Sequence, residues 1–151
     1  MVIGFRSFPN GFSYVVLNGV QEKPEVIDSD RYTFPKGITW PEGLSWVRRQ
    51  VSELCDRYDV AGACIKTIEP VAKTKSKERL QIEAILLEYL YTTRGINCCT
   101  RIKSQLKRDI VDFDQPARYL ERVLEGDQEL QQLNDPNYQD ACLAAIAELP
   151  A

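Results

Sequence analysis

The spacing of apolar and polar positions predicts three strands in the first third of the chain. Residues 2–8 and 12–17 are apolar, aromatic-rich runs, and Asn10-Gly11 between them is typical of a hairpin turn. Even spacing of apolar residues predicts a third strand over residues 25–34. Together the three segments predict an antiparallel meander, in which the first two runs pair with each other.

A helix is predicted to follow Thr39, because Thr39 and Glu42 have the spacing of a capping box and Pro41 suits a first helical turn. Its apolar face has a helical period and comprises Leu44, Val47, Val51, Leu54, Cys55 and Tyr58. Residues 60–66 then form a short, mostly apolar run that ends in Lys66. Such a run is typical of a central strand that is covered on both faces, and we expect it to lie beside residues 2–8 and parallel to them.

A second helix is predicted to end at Arg94, since Gly95 suits the left-handed residue that follows many helices. Its predicted core-facing positions are Leu80, Ala84, Leu87 and Tyr91, widened by Ile85 and Leu86. A further strand is predicted over residues 96–102, and helices are predicted after Asp114 and after Asp135, the latter acting as a helix cap. The order predicts one α/β domain over residues 1–151, with a mixed five-stranded sheet of three antiparallel and two parallel strands, flanked by helices.

The composition is 44% hydrophobic and 27% charged, as expected for a globular protein. No apolar segment approaches the ~20 residues that cross a membrane, and the first residues resemble a strand more than a secretory signal, so we expect a cytoplasmic protein without a membrane partner. The absence of histidine excludes Cys2His2 zinc sites and histidine-based nucleophilic catalysis. The five cysteines form no CxxC pair, which favours small buried hydrophobic residues.

The net charge of −3 is unevenly distributed along the chain. From Asp109 to the end there are ten acidic and two basic residues, a net charge of −8. Residues 1–108 carry 17 basic and 12 acidic residues, a net charge of +5. A basic body is thus joined to an acidic helical C-terminal part, a charge asymmetry that does not by itself establish nucleic-acid binding.

Five segments carry a family resemblance: residues 2–6, 63–66, 77–96, 101–106 and 137–147. Taken in order, they resemble the RuvC Holliday-junction resolvase branch of the RNase H-like proteins. Residues 2–6 (VIGFR) resemble the family's first strand, and residues 63–66 (ACIK) resemble the strand that ends in a catalytic glutamate. Residues 77–96 are similar to the long helix that follows. Residues 101–106 (RIKSQL) resemble the next strand and its exit, and residues 137–147 (NYQDACLAAIA) resemble the closing helix. The resemblance covers nearly the whole chain and implies the RNase H-like fold.

The same resemblance implies a degenerate catalytic site. Nucleases of this family cut phosphodiesters with two divalent metals held by about four carboxylates. At the matching positions this sequence has Arg6, Lys66, Asn137 and Asp140, so only the last acid remains. Two cations oppose metal binding, and they would instead pair with Asp140 or contact a phosphate. The resemblance therefore implies no catalytic residue, no metal and no cofactor.

The leading hypothesis is a non-catalytic nucleic-acid-binding subunit, with DNA preferred over RNA, in a larger complex with a protein partner. Basic residues cluster on the segments that leave the two parallel strands, where they would follow phosphates: Lys66, Lys73, Lys75, Lys77, Arg79, Arg101, Lys103 and Lys107.

Two alternatives remain open. One is a protein-interaction scaffold that uses the acidic C-terminal helices and binds no nucleic acid. The other is a metal-dependent nuclease with relocated carboxylates, for which Glu69, Glu78 and Asp140 are the available acids.

Overall fold

A computed structural model describes residues 1–73, 75–124 and 130–151. The strands are β1 (Val2–Phe8), β2 (Gly11–Val20), β3 (Lys23–Thr33), β4 (Gly62–Lys66) and β5 (Cys98–Arg101). The helices are α1 (Trp40–Arg57), α2 (Lys77–Arg94), α3 (Lys103–Asp109), α4 (Pro116–Val123), α5 (Leu130–Leu133) and α6 (Pro136–Ile146). No helix within these described ranges combines the length and the apolar composition needed to cross a bilayer.

The five strands form one sheet in the order β3-β2-β1-β4-β5. β1 pairs antiparallel with β2, and β2 pairs antiparallel with β3. β4 lies parallel to β1 on one side and parallel to β5 on the other. The predicted mixed sheet is confirmed, including the pairing of the first hairpin and the parallel placement of the central strand beside β1.

Helices cover both faces of the sheet because successive side chains of a strand point to opposite faces. On one face, Phe5 and Ile65 pack into a core with α1 and α2. The other core brings together α3, α4 and α6. There α6 lies directly against β1, since a Cβ at Gly4 would be 1.9 Å from the Ala141 carbonyl oxygen. This close approach fixes the height of α6 above the sheet.

The predicted helix boundaries are confirmed where a specific cap was named. The Thr39 hydroxyl accepts a hydrogen bond from the Glu42 backbone N–H, and Gly95 ends α2 with a φ of 67°. The Asp135 carboxylate accepts a hydrogen bond from the Asn137 backbone N–H at 2.9 Å. These local bonds satisfy backbone groups that helix ends leave without partners.

The predicted core face of α2 is only partly correct. Leu86 is buried as predicted, but Leu80 is 44% exposed and Tyr91 is 70% exposed. Ile82 and Leu90, which were not predicted, are buried against the sheet instead. The helix carries apolar residues at a helical period on two different sides, and periodicity alone cannot tell which side meets the sheet. The outer side therefore remains an exposed apolar stripe.

The helix α3 was not predicted, because the segment after β5 is basic and contains few apolar residues. Its start is fixed by the Gln105 side chain, which accepts a hydrogen bond from the Ile102 backbone N–H at 2.9 Å. Leu106 is the buried residue that attaches this helix to the core below α6.

Candidate functional site

Three of the four positions proposed as a degenerate catalytic site come together where β1, β4 and α6 meet. Arg6 lies in β1, Lys66 is the last residue of β4, and Asp140 lies in the second turn of α6. The Arg6 Nε is 3.2 Å from the Asp140 Oδ2. The Arg6 Nη1 donates a hydrogen bond to the Lys66 carbonyl oxygen at 2.6 Å. The guanidinium thus links the acidic residue of α6 to the end of the central strand.

The Lys66 ammonium group is turned into this site and is held there by two oxygens. Its Nζ is 3.2 Å from the Glu69 Oε1 and donates to the Thr67 carbonyl oxygen at 3.0 Å. The Lys66 side chain is only 8% exposed. The same Glu69 oxygen accepts a hydrogen bond from the Lys103 backbone N–H at 2.9 Å, which ties the start of α3 to the site.

The two acids differ in how their surroundings affect ionisation. Burial raises the pKa of Glu69. The hydrogen bonds from the Lys103 backbone N–H and the Lys66 ammonium group together outweigh this effect, so the net pKa is below its ordinary value. For Asp140, burial raises the pKa above its ordinary value although Arg6 and Lys66 act in the opposite direction. Asp140 is therefore the acid that depends more on its cationic neighbours to stay ionised.

The first half of α2 contributes two further charges, one of which sequence reasoning missed. Glu83 is 4% exposed, and neither carboxylate oxygen makes a hydrogen bond of ordinary length and angle to the described residues. Burial raises the pKa of Glu83, while the nearby Thr67 side chain and the charges of Arg6, Arg79 and Lys66 lower it. The Arg79 pKa is lowered by burial and by the positive charge of Arg6. The sequence contains one signal that could have indicated Glu83. It lies four residues after Arg79, which places both side chains on one side of the helix.

We refer to these six groups as the ionic cluster: Arg6, Lys66, Glu69, Arg79, Glu83 and Asp140. It contains three cations and three carboxylates, so its formal charges balance.

The ionic cluster does not fit a pair of divalent metals. Hard cations require several oxygen ligands, but the Asp140 and Glu69 carboxylates each have a cationic side chain beside them. In the part of the chain that the structure describes, no group of three or more cysteine, aspartate or glutamate side chains is placed to hold a metal ion. Glu78, the remaining acid of the relocated-carboxylate hypothesis, is exposed near the Ser76 cap of α2. That hypothesis lacks the convergence of carboxylates that it requires.

The remaining proposed site position, Asn137, lies near the start of α6, one turn before Asp140. It is half-buried, and its backbone N–H donates a hydrogen bond to the Asp135 carboxylate, which caps the helix. The structure thus places an amide, rather than a second carboxylate, beside the acid of α6.

Five of the lysines predicted to contact nucleic acid are exposed: Lys73, Lys75, Lys77, Lys103 and Lys107. Within residues 1–73, 75–124 and 130–151, none of the five forms an ion pair. Lys73 and Lys75 lie in the segment between β4 and α2, Lys77 begins α2, and the other two lie in α3. Because β4 and β5 are adjacent and parallel, both segments leave the sheet at the same edge.

Lys66 and Arg101 differ from these exposed lysines. Lys66 is buried in the ionic cluster, as described above. The Arg101 side chain is 16% exposed and contacts Glu148, the Asp109 Oδ2 at 2.9 Å and the Cys64 Sγ at 3.2 Å. It joins β5 to the end of α3 and to the C-terminal segment. Both residues are therefore engaged in contacts within the protein.

Comparison with known proteins identifies the fold. No protein-family model matches the chain, and no curated protein matches it. Among solved structures, Thermus thermophilus RuvC bound to a Holliday junction is similar with a TM-score of 0.77 and 12% identity, over 97% of this chain and 92% of that chain. The Fowlpox virus resolvase bound to Holliday junction DNA is similar with a TM-score of 0.54 and 10% identity, over 99% of this chain and 98% of that chain. The protein therefore has a RuvC-like RNase H fold, as the sequence resemblance implied.

Proposed function

We propose that the protein is a non-catalytic nucleic-acid-binding subunit, which uses the RuvC-like fold to hold DNA without cutting it. The observation that carries the proposal is the contrast between two neighbouring groups of charges. The ionic cluster is balanced internally, whereas the five exposed lysines beside it have no ion-pair partner within the described residues. Positive charges that are free of carboxylates are available to neutralise phosphates.

The chemistry of the ionic cluster supports the proposed absence of catalysis. Cleavage by two metals requires carboxylates to hold both ions near the attacking and leaving oxygens. Arg6 and Lys66 instead place a guanidinium and an ammonium group beside Asp140 and Glu69. Repulsion between these cations and divalent metals disfavours loading of the site.

Binding of this type is expected to recognise phosphates and the shape of the DNA rather than base sequence. Lysine contacts to phosphates fix the orientation of a duplex and carry little sequence information. The preference for DNA over RNA draws support from the two similar structures, each of which holds Holliday junction DNA.

The proposal includes a protein partner. The exposed apolar stripe of α2, with Leu80 and Tyr91 at its ends, is suited to contact another protein surface. The acidic segment after Asp109 would repel DNA, so it must face away from it or be covered. The scaffold hypothesis shares these features but predicts no DNA binding, and the two hypotheses are therefore separated by a binding assay.

The test is a salt titration of binding to duplex, single-stranded and four-way junction DNA. The logarithm of the association constant should fall linearly with the logarithm of salt concentration, with a slope of about −0.9 for each duplex phosphate contacted. Reversing Lys73, Lys75 and Lys77 to glutamate should weaken binding and flatten the slope by up to about 2.7, one contact's value for each lysine.

A matched control reverses three exposed cations elsewhere, Lys23, Lys36 and Arg49, and has the same change in net charge. This control should leave the slope close to that of the wild type. Equal effects of the two triple variants would contradict the proposed surface. Absence of binding to all three DNAs at low salt would favour the scaffold hypothesis.

A further inference from the structure

A cavity of about 280 Å³ opens beside the ionic cluster, between the end of β4, α3, the α3–α4 segment and α6. Four of the lining residues are apolar and are referred to together as the apolar side: Leu106, Phe113, Pro116 and Leu143. The charged lining residues, which include Lys66 and Asp140, are referred to as the polar side. This volume is just below the range of about 300–1,000 Å³ that is usual for sites of drug-sized ligands.

The residues on the apolar side of the cavity are held in place by the hydrophobic core. Leu106 is 2% exposed and Leu143 is 1% exposed, so both are held in the core. The Phe113 ring packs against the Tyr119 ring with a centroid distance of 5.5 Å, and Tyr119 is itself buried. Phe113 remains partly exposed and offers an aromatic surface to the cavity.

The polar side combines a hydrogen-bond donor with an acceptor. Lys66 presents an ammonium group whose position is fixed by Glu69 and by the Thr67 carbonyl oxygen. Asp140 presents a carboxylate that is held by Arg6. The exposed residue Lys103 also lines the cavity and provides a cation that has no ion pair in the described part of the chain.

This combination disfavours an anion inside the cavity and favours a planar neutral ring. The Glu69 and Asp140 carboxylates balance the charges of Lys66 and Lys103 in the lining, so the cavity has no net positive charge with which to hold a phosphate inside it. A heteroaromatic ring could lie against the apolar side while its edge meets the donor and the acceptor. Enzymes that bind an extruded base use this combination of stacking and polar contacts at the base edge.

We propose that the cavity accepts one unstacked nucleobase, from a single strand or from a distorted duplex, while Lys103 contacts its phosphate. The inference rests on the proposed function, since it names the part of the nucleic acid that enters this site. It predicts a contribution to affinity that depends on the presence of a base and does not depend on salt.

The experiment compares two single-stranded oligonucleotides of equal length and charge, one with thymine bases and one with abasic positions throughout. The wild-type protein should bind the thymine strand more tightly, by between about fivefold and about a hundredfold, the range for stacking one base on an aromatic side chain. Phe113→Ala should remove this preference and leave the salt dependence unchanged. Val20→Ala, at an exposed apolar residue of β2 that does not line the cavity, should keep the preference.

Circular dichroism would show whether Phe113→Ala is folded, and Phe113→Leu, which removes the ring but keeps an apolar side chain, is the second variant. Equal affinity of the wild type for the two strands would overturn the nucleobase site while leaving phosphate binding intact. A preference that survives in both folded Phe113 variants would also overturn it. Absence of binding to either strand, and to duplex and junction DNA, would overturn the proposed function itself.

Discussion

Replacement of Arg6 by methionine tests whether the ionic cluster is held together by the pairing of Arg6 with Asp140. Methionine retains an unbranched apolar chain but removes the guanidinium group. Asp140 would then lose the cation that lies 3.2 Å from its carboxylate, and the Lys66 carbonyl oxygen would lose its 2.6 Å hydrogen bond. The cluster would keep three carboxylates and only two cations.

The expected magnitude follows from the burial of the pair. The Arg6 side chain is 12% exposed and the Asp140 side chain is 27% exposed. Removing one partner of a fully buried pair costs about 3–5 kcal/mol, and partial access to water reduces this, so we expect a loss of about 2–4 kcal/mol. The matched control is Arg118→Met. The Arg118 side chain is 69% exposed and lies 3.8 Å from the Asp114 carboxylate, so this variant should lose less than about 1 kcal/mol of unfolding free energy.

The assay is urea denaturation at pH 7, repeated on the double variant Arg6→Met with Asp140→Asn. Neutralising Asp140 should restore at least half of the lost free energy of unfolding, because no unpaired buried carboxylate remains. The loss in the single variant should also shrink as the pH is lowered, since protonation of Asp140 has the same effect. A loss in Arg6→Met no larger than that in Arg118→Met, or no recovery in the double variant, would refute this reasoning.

Two further predictions concern the packing around the site. Burial raises the pKa of Glu83 in the folded protein, so ionisation of Glu83 destabilises the fold. The free energy of unfolding of the wild type, relative to that of Glu83→Gln, should therefore fall as the pH rises above about 4.5. A difference that stays constant between pH 4.5 and 8 would contradict this. Gly4→Ala should cost about 3 kcal/mol or more in urea denaturation, because the new Cβ would meet the Ala141 carbonyl oxygen at 1.9 Å. The control Gly62→Ala, with 3.5 Å to its nearest neighbour, should cost less than about 1 kcal/mol, and equal losses would contradict the proposed contact.

The order of strands and helices could be predicted because local signals and the family resemblance agreed. Thr39, Gly95 and Asp135 each mark a helix end through a bond or a backbone angle that involves near neighbours in sequence. Such features depend little on the rest of the chain. The resemblance supplied the long-range information, namely that β4 would lie parallel to β1.

The burial of α2 could not be predicted from periodicity. Its apolar residues follow a helical period on two sides, and only the docking of the helix on β1 and β5 decides which side is covered. The burial of Glu83 was also not predicted. A carboxylate on a helix is usually solvated, and the covered side of α2 was not known from the sequence. It becomes a buried member of the ionic cluster only when α2 places it near Arg6 and Lys66.

The central claim is that this RuvC-like fold binds DNA with an ionic cluster in place of a metal site. The most direct measurement follows binding and cleavage of a labelled four-way junction in the same sample, by fluorescence polarisation and by a denaturing gel, in magnesium and in manganese. The account predicts a salt-sensitive complex whose DNA strands stay intact. Metal-dependent strand cleavage by the wild type that disappears in Asp140→Asn would contradict it.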